Sequence, residues 1–174
     1  MPGRIVHETE RLILREFTAD DAEVYFRLGA DPNITRYTGD QGVATVEQAL
    51  EVMQARPIAD YAKYGYGRWA CVFKENGEVI GFAGLKYVDD LAEVDIGYRL
   101  LPAYWGRGLA TEASLPAIDY GFTQLGLKQI IGLVMPENVA SVRVLEKLGL
   151  RYDGIMDYRS LQVARYVIER VLVG

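Results

Sequence analysis

With 174 residues and 50% hydrophobic content, the chain is long enough for one domain with a substantial core and too short for two, so residues 1–174 are read as a single domain. A formal net charge of −5 excludes general nucleic-acid binding, because a polyanion is repelled outside a local basic patch, and it suits a cationic partner instead. One cysteine (Cys71) and one histidine (His7) exclude an internal disulfide and argue against a metal site; no apolar run reaches the roughly 18 residues of a membrane span, and the polar N-terminus lacks the apolar core of a signal, so a cytoplasmic protein is expected.

In chain order, residues 8–17 alternate as a first strand. Thr18 with Asp21 offers a helix start, and that helix should end near Gly29. Residues 30–44 are rich in turn formers, and Thr45 with Gln48 forms a capping box before a helix expected to run to about Tyr64. Residues 66–73 and 79–85 read as strands joined through Asn76-Gly77, a strong hairpin signal, with Cys71 as a buried small residue in the first of them. A third strand, 93–100, completes an antiparallel meander. Tyr61, Tyr64 and Tyr66 are read as exposed aromatics fitting either a homodimer face or the rim of an acceptor site.

The stretch 93–115 organises the rest. Its strand ends at Pro102, and Gly106, Arg107 and Gly108 then open a helix from Leu109 to about Leu125, with Leu109, Ala113, Leu115, Ala117, Ile118 and Phe122 available as its apolar face and Pro116 inside it. Glycines at a helix start let backbone N–H groups approach an anion, and a phosphate or pyrophosphate is the natural guest; a plain turn is the alternative. The Walker pattern is excluded because no Lys-Ser/Thr pair follows Gly108, and the dinucleotide fingerprint because Thr111 stands where a small residue is needed. A strand at 129–134 follows. After it comes a helix with Val144, Leu145 and Leu148 on one face and Gly149 as its stop, then strands at 151–156 and 163–173.

Two motifs resemble one family. Tyr104-Trp-Gly-Arg-Gly108-Leu-Ala-Thr-Glu-Ala113 is similar to the pyrophosphate loop of the GNAT N-acetyltransferase superfamily, in the form used by its ribosomal-protein alanine acetyltransferase (RimJ/RimL-like) branch, where Trp105 replaces the usual Gln or Arg. Asn138-Val-Ala-Ser141-Val-Arg-Val-Leu-Glu-Lys-Leu-Gly149 resembles the family's second signature, and Thr9-Glu-Arg-Leu-Ile-Leu-Arg15 resembles the branch's characteristic opening. The resemblance implies an α/β acetyltransferase fold: a mixed, mostly antiparallel sheet of about seven strands with helices on both faces. It also implies acetyl-CoA as cofactor and direct transfer of acetyl to a primary amine, with the N-terminal α-amino group of a protein or peptide as favoured acceptor. A small-amine acetyltransferase (polyamine or aminoglycoside) and a non-catalytic acyl-CoA sensor are the rivals.

Residue by residue, the resemblance puts coenzyme A on Gly106, Arg107, Gly108, Leu109, Ala110 and Thr111, on the strand around Leu100, and on Asn138 and Ser141. The backbone N–H near Tyr98 would face the thioester oxygen. Glu93 and Asp95 are the candidate general bases; they share a strand face, and a salt bridge to Arg99 or Arg68 is the competing role for either. Ser141 is the candidate proton donor to the leaving thiolate, or a helix cap. Asn33, Arg36 and Tyr37 are candidate acceptor contacts, or a solvated loop.

Overall fold

The computed structural model describes residues 2–172. Ile5–Glu8 (β1) and Leu12–Arg15 (β2) form an antiparallel hairpin where one continuous strand was expected. Thr9 makes the difference: its N–H donates to the Leu12 carbonyl at 2.8 Å and its hydroxyl accepts the Leu12 N–H at 3.0 Å, which closes a tight turn. The extra strand brings the count in the sheet to eight.

Helix α1 (Ala22–Ala30) begins where expected, with the Asp21 carboxylate accepting the Thr18 N–H at 2.9 Å and both Arg15 terminal nitrogens at 2.8 Å. A four-residue turn, α2 (Pro32–Thr35), follows. The helix expected from Thr45 to Tyr64 is broken into α3 (Val46–Met53) and α4 (Ala59–Tyr64). Pro57 lacks an N–H and its ring forces the preceding residue out of helical space, and Arg56 is extended at φ −157°, ψ 140°.

The meander consists of Arg68–Phe73 (β3), Glu78–Val88 (β4) and Glu93–Leu100 (β5), with Gly77 in a left-handed turn at φ +73°. Helix α5 (Leu109–Thr123), strand β6 (Gln129–Val134), helix α6 (Val139–Lys147) and the hairpin Arg151–Tyr158 (β7) with Leu161–Glu169 (β8) complete the chain. The last strand ends short of the expected Val173, which lies outside the described residues.

Strand alternation sorts the core onto both faces. Trp69, Cys71 and Phe73 pack with Leu85, Ile96, Leu109, Ala113 and Leu145 under α5 and α6, while Ala70 and Phe82 join Phe17, Leu28 and Met53 under α1 and α3. On α5 the buried face is Leu109, Ala113, Ser114, Ala117, Ile118 and Gly121; Leu115 is half exposed, contrary to expectation. A side chain at Gly121 would press on Ile130 and Leu85 at 2.8 and 2.9 Å, so the helix approaches the sheet through a glycine there. Cys71 is fully buried, and burial pushes its thiol up to about 12, which leaves it inert.

The three tyrosines taken as exposed are not. Tyr66 is buried, Tyr64 packs its ring against Tyr66 and Tyr87, and the Tyr61 hydroxyl accepts the Phe17 N–H and donates to the Arg68 carbonyl. The sequence argument for a homodimer face at these residues therefore falls away. No helix of the described residues is long and apolar enough to cross a membrane.

The feature that positions the site lies mid-sheet. β5 pairs with β4 along its whole length, but its parallel pairing with β6 is registered at one position only, Asp95 with Ile131. Beyond Asp95 the two strands part, and a gap opens between Ile96–Leu100 and the end of β6.

Candidate active site

The Leu101 N–H bonds the Ile80 carbonyl at 2.8 Å, so antiparallel alternation turns the backbone groups of Arg99 and Gly97 towards β4 and those of Leu100, Tyr98 and Ile96 towards the gap. The Leu100 carbonyl there is taken by the Trp105 indole N–H at 2.8 Å. Tyr98 keeps a backbone N–H directed at the gap. This gives Trp105 a physical role: it ties the loop after β5 back to the strand end.

The loop then passes Gly106 at φ +71° and Gly108 at φ +75°, the latter capping α5. Both conformations favour glycine, and nothing lies within 4 Å of a Cβ built at Gly106, so a ligand can approach the backbone. The first intrahelical bond is Glu112 N–H to the Gly108 carbonyl at 3.1 Å, which leaves the N–H groups of Leu109, Ala110 and Thr111 without a partner among the described residues, at the positive end of a 15-residue helix. The buried Leu109 side chain anchors that end. Arg107 lays its guanidinium over Phe73 (4.9 Å) and Tyr104 (5.7 Å), beside the loop. Such a loop, opening on a gap with free strand groups, fits a pyrophosphate on a long amide-bearing arm, as in coenzyme A.

A support for this loop went unread in the sequence. The Glu112 carboxylate accepts the Thr9 hydroxyl (2.7 Å), the Arg11 N–H (2.8 Å) and the Arg11 Nε (2.7 Å), and Arg11 Nη1 donates to the Arg107 carbonyl at 2.9 Å. The signal was present as two motif fragments, Thr9-Glu-Arg11 and Thr111-Glu-Ala113, but their meeting 101 residues apart is a tertiary fact. Burial raises the Glu112 carboxyl, but the hydrogen bonds from Thr9 and Arg11 together outweigh it and hold the group below the usual carboxylate range. A depressed carboxyl contributes stability above the unfolded value of about 4.3 and loses it as pH falls through the folded value. Glu112→Gln should therefore cost about 1–2 kcal/mol at pH 7 and much less at pH 3, read as the difference in melting temperature from the parent at each pH. An equal deficit at both pH values would contradict this account.

Across the gap, α6 starts at Asn138, whose Oδ1 accepts the Ser141 N–H at 3.3 Å. The Asn138 amide nitrogen has no hydrogen-bond partner among the described residues and so offers donors to the cavity it lines. The Tyr98 phenol reaches over from β5 to the Ser141 carbonyl (2.8 Å) and Oγ (2.9 Å). Burial pushes the Tyr98 pKa upward, so the phenol stays neutral and available as a donor. Ser141 is therefore not the helix cap, a role the Asn138 side chain takes; its hydroxyl is paired with the Tyr98 phenol instead.

On the opposite face of the sheet a cavity of about 700 Å³ continues from Ser141, Asn138 and Tyr98 to Asp95, Arg99 and Tyr37. It separates the two candidate bases. Asp95 lines the cavity, its Oδ1 held at 2.8 Å by Arg68, whose guanidinium also bonds the Gly84 and Asp95 carbonyls and lies against Gly97. Glu93, two residues back on the same face, does not line it: its Oε1 accepts from Arg165 and Gln129 at 2.6 Å each. Asp95 stands at the single rung that β5 shares with β6, where the gap begins, and Glu93 lies two residues behind it, away from the gap.

Of the expected acceptor contacts, Tyr37 lines the cavity while Asn33 and Arg36 do not. Asn33 is an exposed residue of α2 whose N–H bonds Asp31, and Arg36 stacks on the Tyr37 ring at 4.9 Å. The loop that follows is clipped over the cavity by Asp40, paired with Arg99 at 2.8 Å.

Residues 11–151 match the family model described as an acetyltransferase (GNAT) domain. The chain is 38% identical over 153 residues to p20 of Bacillus licheniformis, an uncharacterized N-acetyltransferase, covering 86% of this chain and 85% of that protein. It is 35% identical over 144 residues to the spermidine N(1)-acetyltransferase of Escherichia coli K12, covering 81% and 73%. The solved acetyltransferase of Agrobacterium tumefaciens C58 superposes with a TM-score of 0.83 at 26% identity, over 94% of each chain.

Proposed function

The chain belongs to the GNAT family of acetyl-CoA-dependent N-acetyltransferases, and from that premise we propose that its acceptor is the α-amino group of a protein or peptide N-terminus. The observation carrying this is the state of the cavity's carboxylates: Asp40 is paired with Arg99, Asp60 and Asp89 with Arg56, and Asp95 with Arg68. A polyamine enters as several positive charges and needs uncommitted carboxylates. An α-amine with a reference pKa near 8 is already about one-tenth neutral at pH 7, whereas a lysine-type amine near 10.4 is almost wholly charged.

Bound acetyl-CoA supplies the activated acyl carbonyl and a thiolate leaving group. The chain's residues have four tasks. The N–H groups of Leu109–Thr111 and the backbone of Gly106–Gly108 hold the pyrophosphate, with Arg107 adding charge at the loop's flank. Asn138 offers its amide donors to the arm, and the Tyr98 N–H is the donor for negative charge developing on the acyl oxygen. Asp95 keeps Oδ2 without a hydrogen-bond partner among the described residues, an acceptor for the amine's proton, directly or through water. Ser141, backed by the Tyr98 phenol, returns a proton to sulfur.

The identity to a spermidine acetyltransferase favours a second reading, a small polyamine as acceptor. Thiol release from acetyl-CoA with Ala-, Ser- and Met-initiated peptides beside spermidine, lysine and aminoglycosides decides between them. The proposal expects kcat/KM for the best peptide to exceed that for spermidine by about tenfold or more. Spermidine matching or beating the peptides would replace it with the second reading.

A further inference from the structure

Five cationic side chains line the cavity among the described residues: Arg56, Arg68, Lys86, Arg99 and Arg159. Each arginine is held by a carboxylate. Arg56 meets Asp60 and Asp89 at 3.3 Å, Arg68 meets Asp95 at 2.8 Å, Arg99 meets Asp40 at 2.8 Å, and Arg159 meets Asp90 at 3.3 Å. Lys86 has no such partner: its ammonium makes no hydrogen bond or ion pair with any other described residue.

Its position makes this consequential. Lys86 lies on β4 directly across from Asp95 on β5, on the sheet face that carries the candidate base. Asp95 cannot serve it fully, because Arg68 occupies Oδ1. Burial, and then the neighbouring Arg68, push the Lys86 ammonium's pKa below its ordinary value, with Arg56 and Arg159 adding to the effect and Asp95 only partly opposing it. A half-buried ammonium lacking a counter-ion is costly, and a ligand that brings an anion removes that cost at the moment of binding.

We propose that Lys86 is a specificity-determining residue that binds a carboxylate on the acceptor, so that the preferred acceptor carries a negative charge within about one residue of its α-amine. This rests on the α-amine reading and deepens it. Two sources share the chemistry: an acidic side chain next to the N-terminus, or the terminal carboxylate of a short peptide. The cavity offers such a group one cation without a carboxylate partner, and each carboxylate lining it is already paired with an arginine, Asp95 keeping only Oδ2 for the amine's proton.

The test measures kcat/KM for two matched pairs of acceptors. One pair is an Ala-Asp peptide against its Ala-Asn counterpart, both with amidated C-termini. The other is the dipeptide Ala-Gly with a free C-terminus against its amide. The parent enzyme should prefer the carboxylate member of at least one pair by about tenfold to a hundredfold, mainly through KM, and the pair showing the preference names the source. Lys86→Met should abolish the preference, and Lys86→Arg, which keeps the charge, should retain most of it. Equal rates on both members of both pairs in the parent overturn the proposal without needing any variant. So does a preference that survives Lys86→Met, or a fall in kcat by the same factor on every acceptor, which would make Lys86 a proton acceptor instead. Spermidine outrunning every α-amine acceptor is a different failure, that of the underlying reading.

Discussion

Gly108→Val should raise the KM for acetyl-CoA by about a hundredfold and lower stability by about 2 kcal/mol. Gly108 caps α5 at φ +75°, a conformation that costs an L-residue roughly 1–2 kcal/mol and a β-branched one more. The position is not crowded: the nearest neighbour of an added Cβ is an Arg11 nitrogen at 3.7 Å. The penalty is therefore conformational, and relieving it must rotate the N–H groups of Leu109–Thr111 away from their common direction. Losing two charge-assisted hydrogen bonds of about 1.5 kcal/mol each gives the hundredfold. Steady-state kinetics at varied acetyl-CoA, with a thermal melt alongside, measures both numbers. A folded variant whose KM moves less than twofold would move the coenzyme off this loop.

The second large effect belongs to Asp95. Asp95→Asn should lower kcat by about a hundredfold at pH 7 while leaving acetyl-CoA binding intact, in the range expected for loss of a positioned proton acceptor. The amide oxygen can still accept from Arg68, so that contact survives the change. The deficit should shrink between pH 7 and 9, because an α-amine with pKa near 8 deprotonates by itself over that interval. Glu93→Gln is the matched control. It removes the carboxylate that holds Arg165 and Gln129, so it should lower the melting temperature while changing kcat less than about threefold. The reverse pattern would return the base assignment to Glu93.

That pair of carboxylates also marks where the sequence stopped being informative. Alternation correctly put Glu93 and Asp95 on one face, but which of them meets the cavity depends on where β5 leaves β6, a property of two strands about 35 residues apart. The loop was legible because its requirements are local: glycine for positive φ, then a helix start. The clamp from Thr9 and Arg11 onto Glu112 was not, since nothing in either segment specifies the other. Pro57 is legible in the sequence as a break, whereas the capping box at Thr45 marks only where a helix starts and does not carry it across a residue that cannot continue one. The tyrosines misled for another reason. A Tyr-rich segment looks like surface until its hydroxyls find buried partners, as Tyr61 does at Phe17 and Arg68.

The single registered position between β5 and β6 has a thermodynamic side. In ladder terms the sheet is two leaves, one of five strands and one of three, sharing one rung, with the contacts of α5 against β6 and α6 bridging them. Any molecule that bonds Tyr98 on one leaf and Asn138 beyond the other acts as a removable brace across the joint. Its occupancy then enters the folding equilibrium: at a hundred times the dissociation constant, a guest confined to the folded state contributes about 2.7 kcal/mol, comparable to a well-placed core side chain. Saturating acyl donor would thus raise this protein's melting temperature as well as its rate.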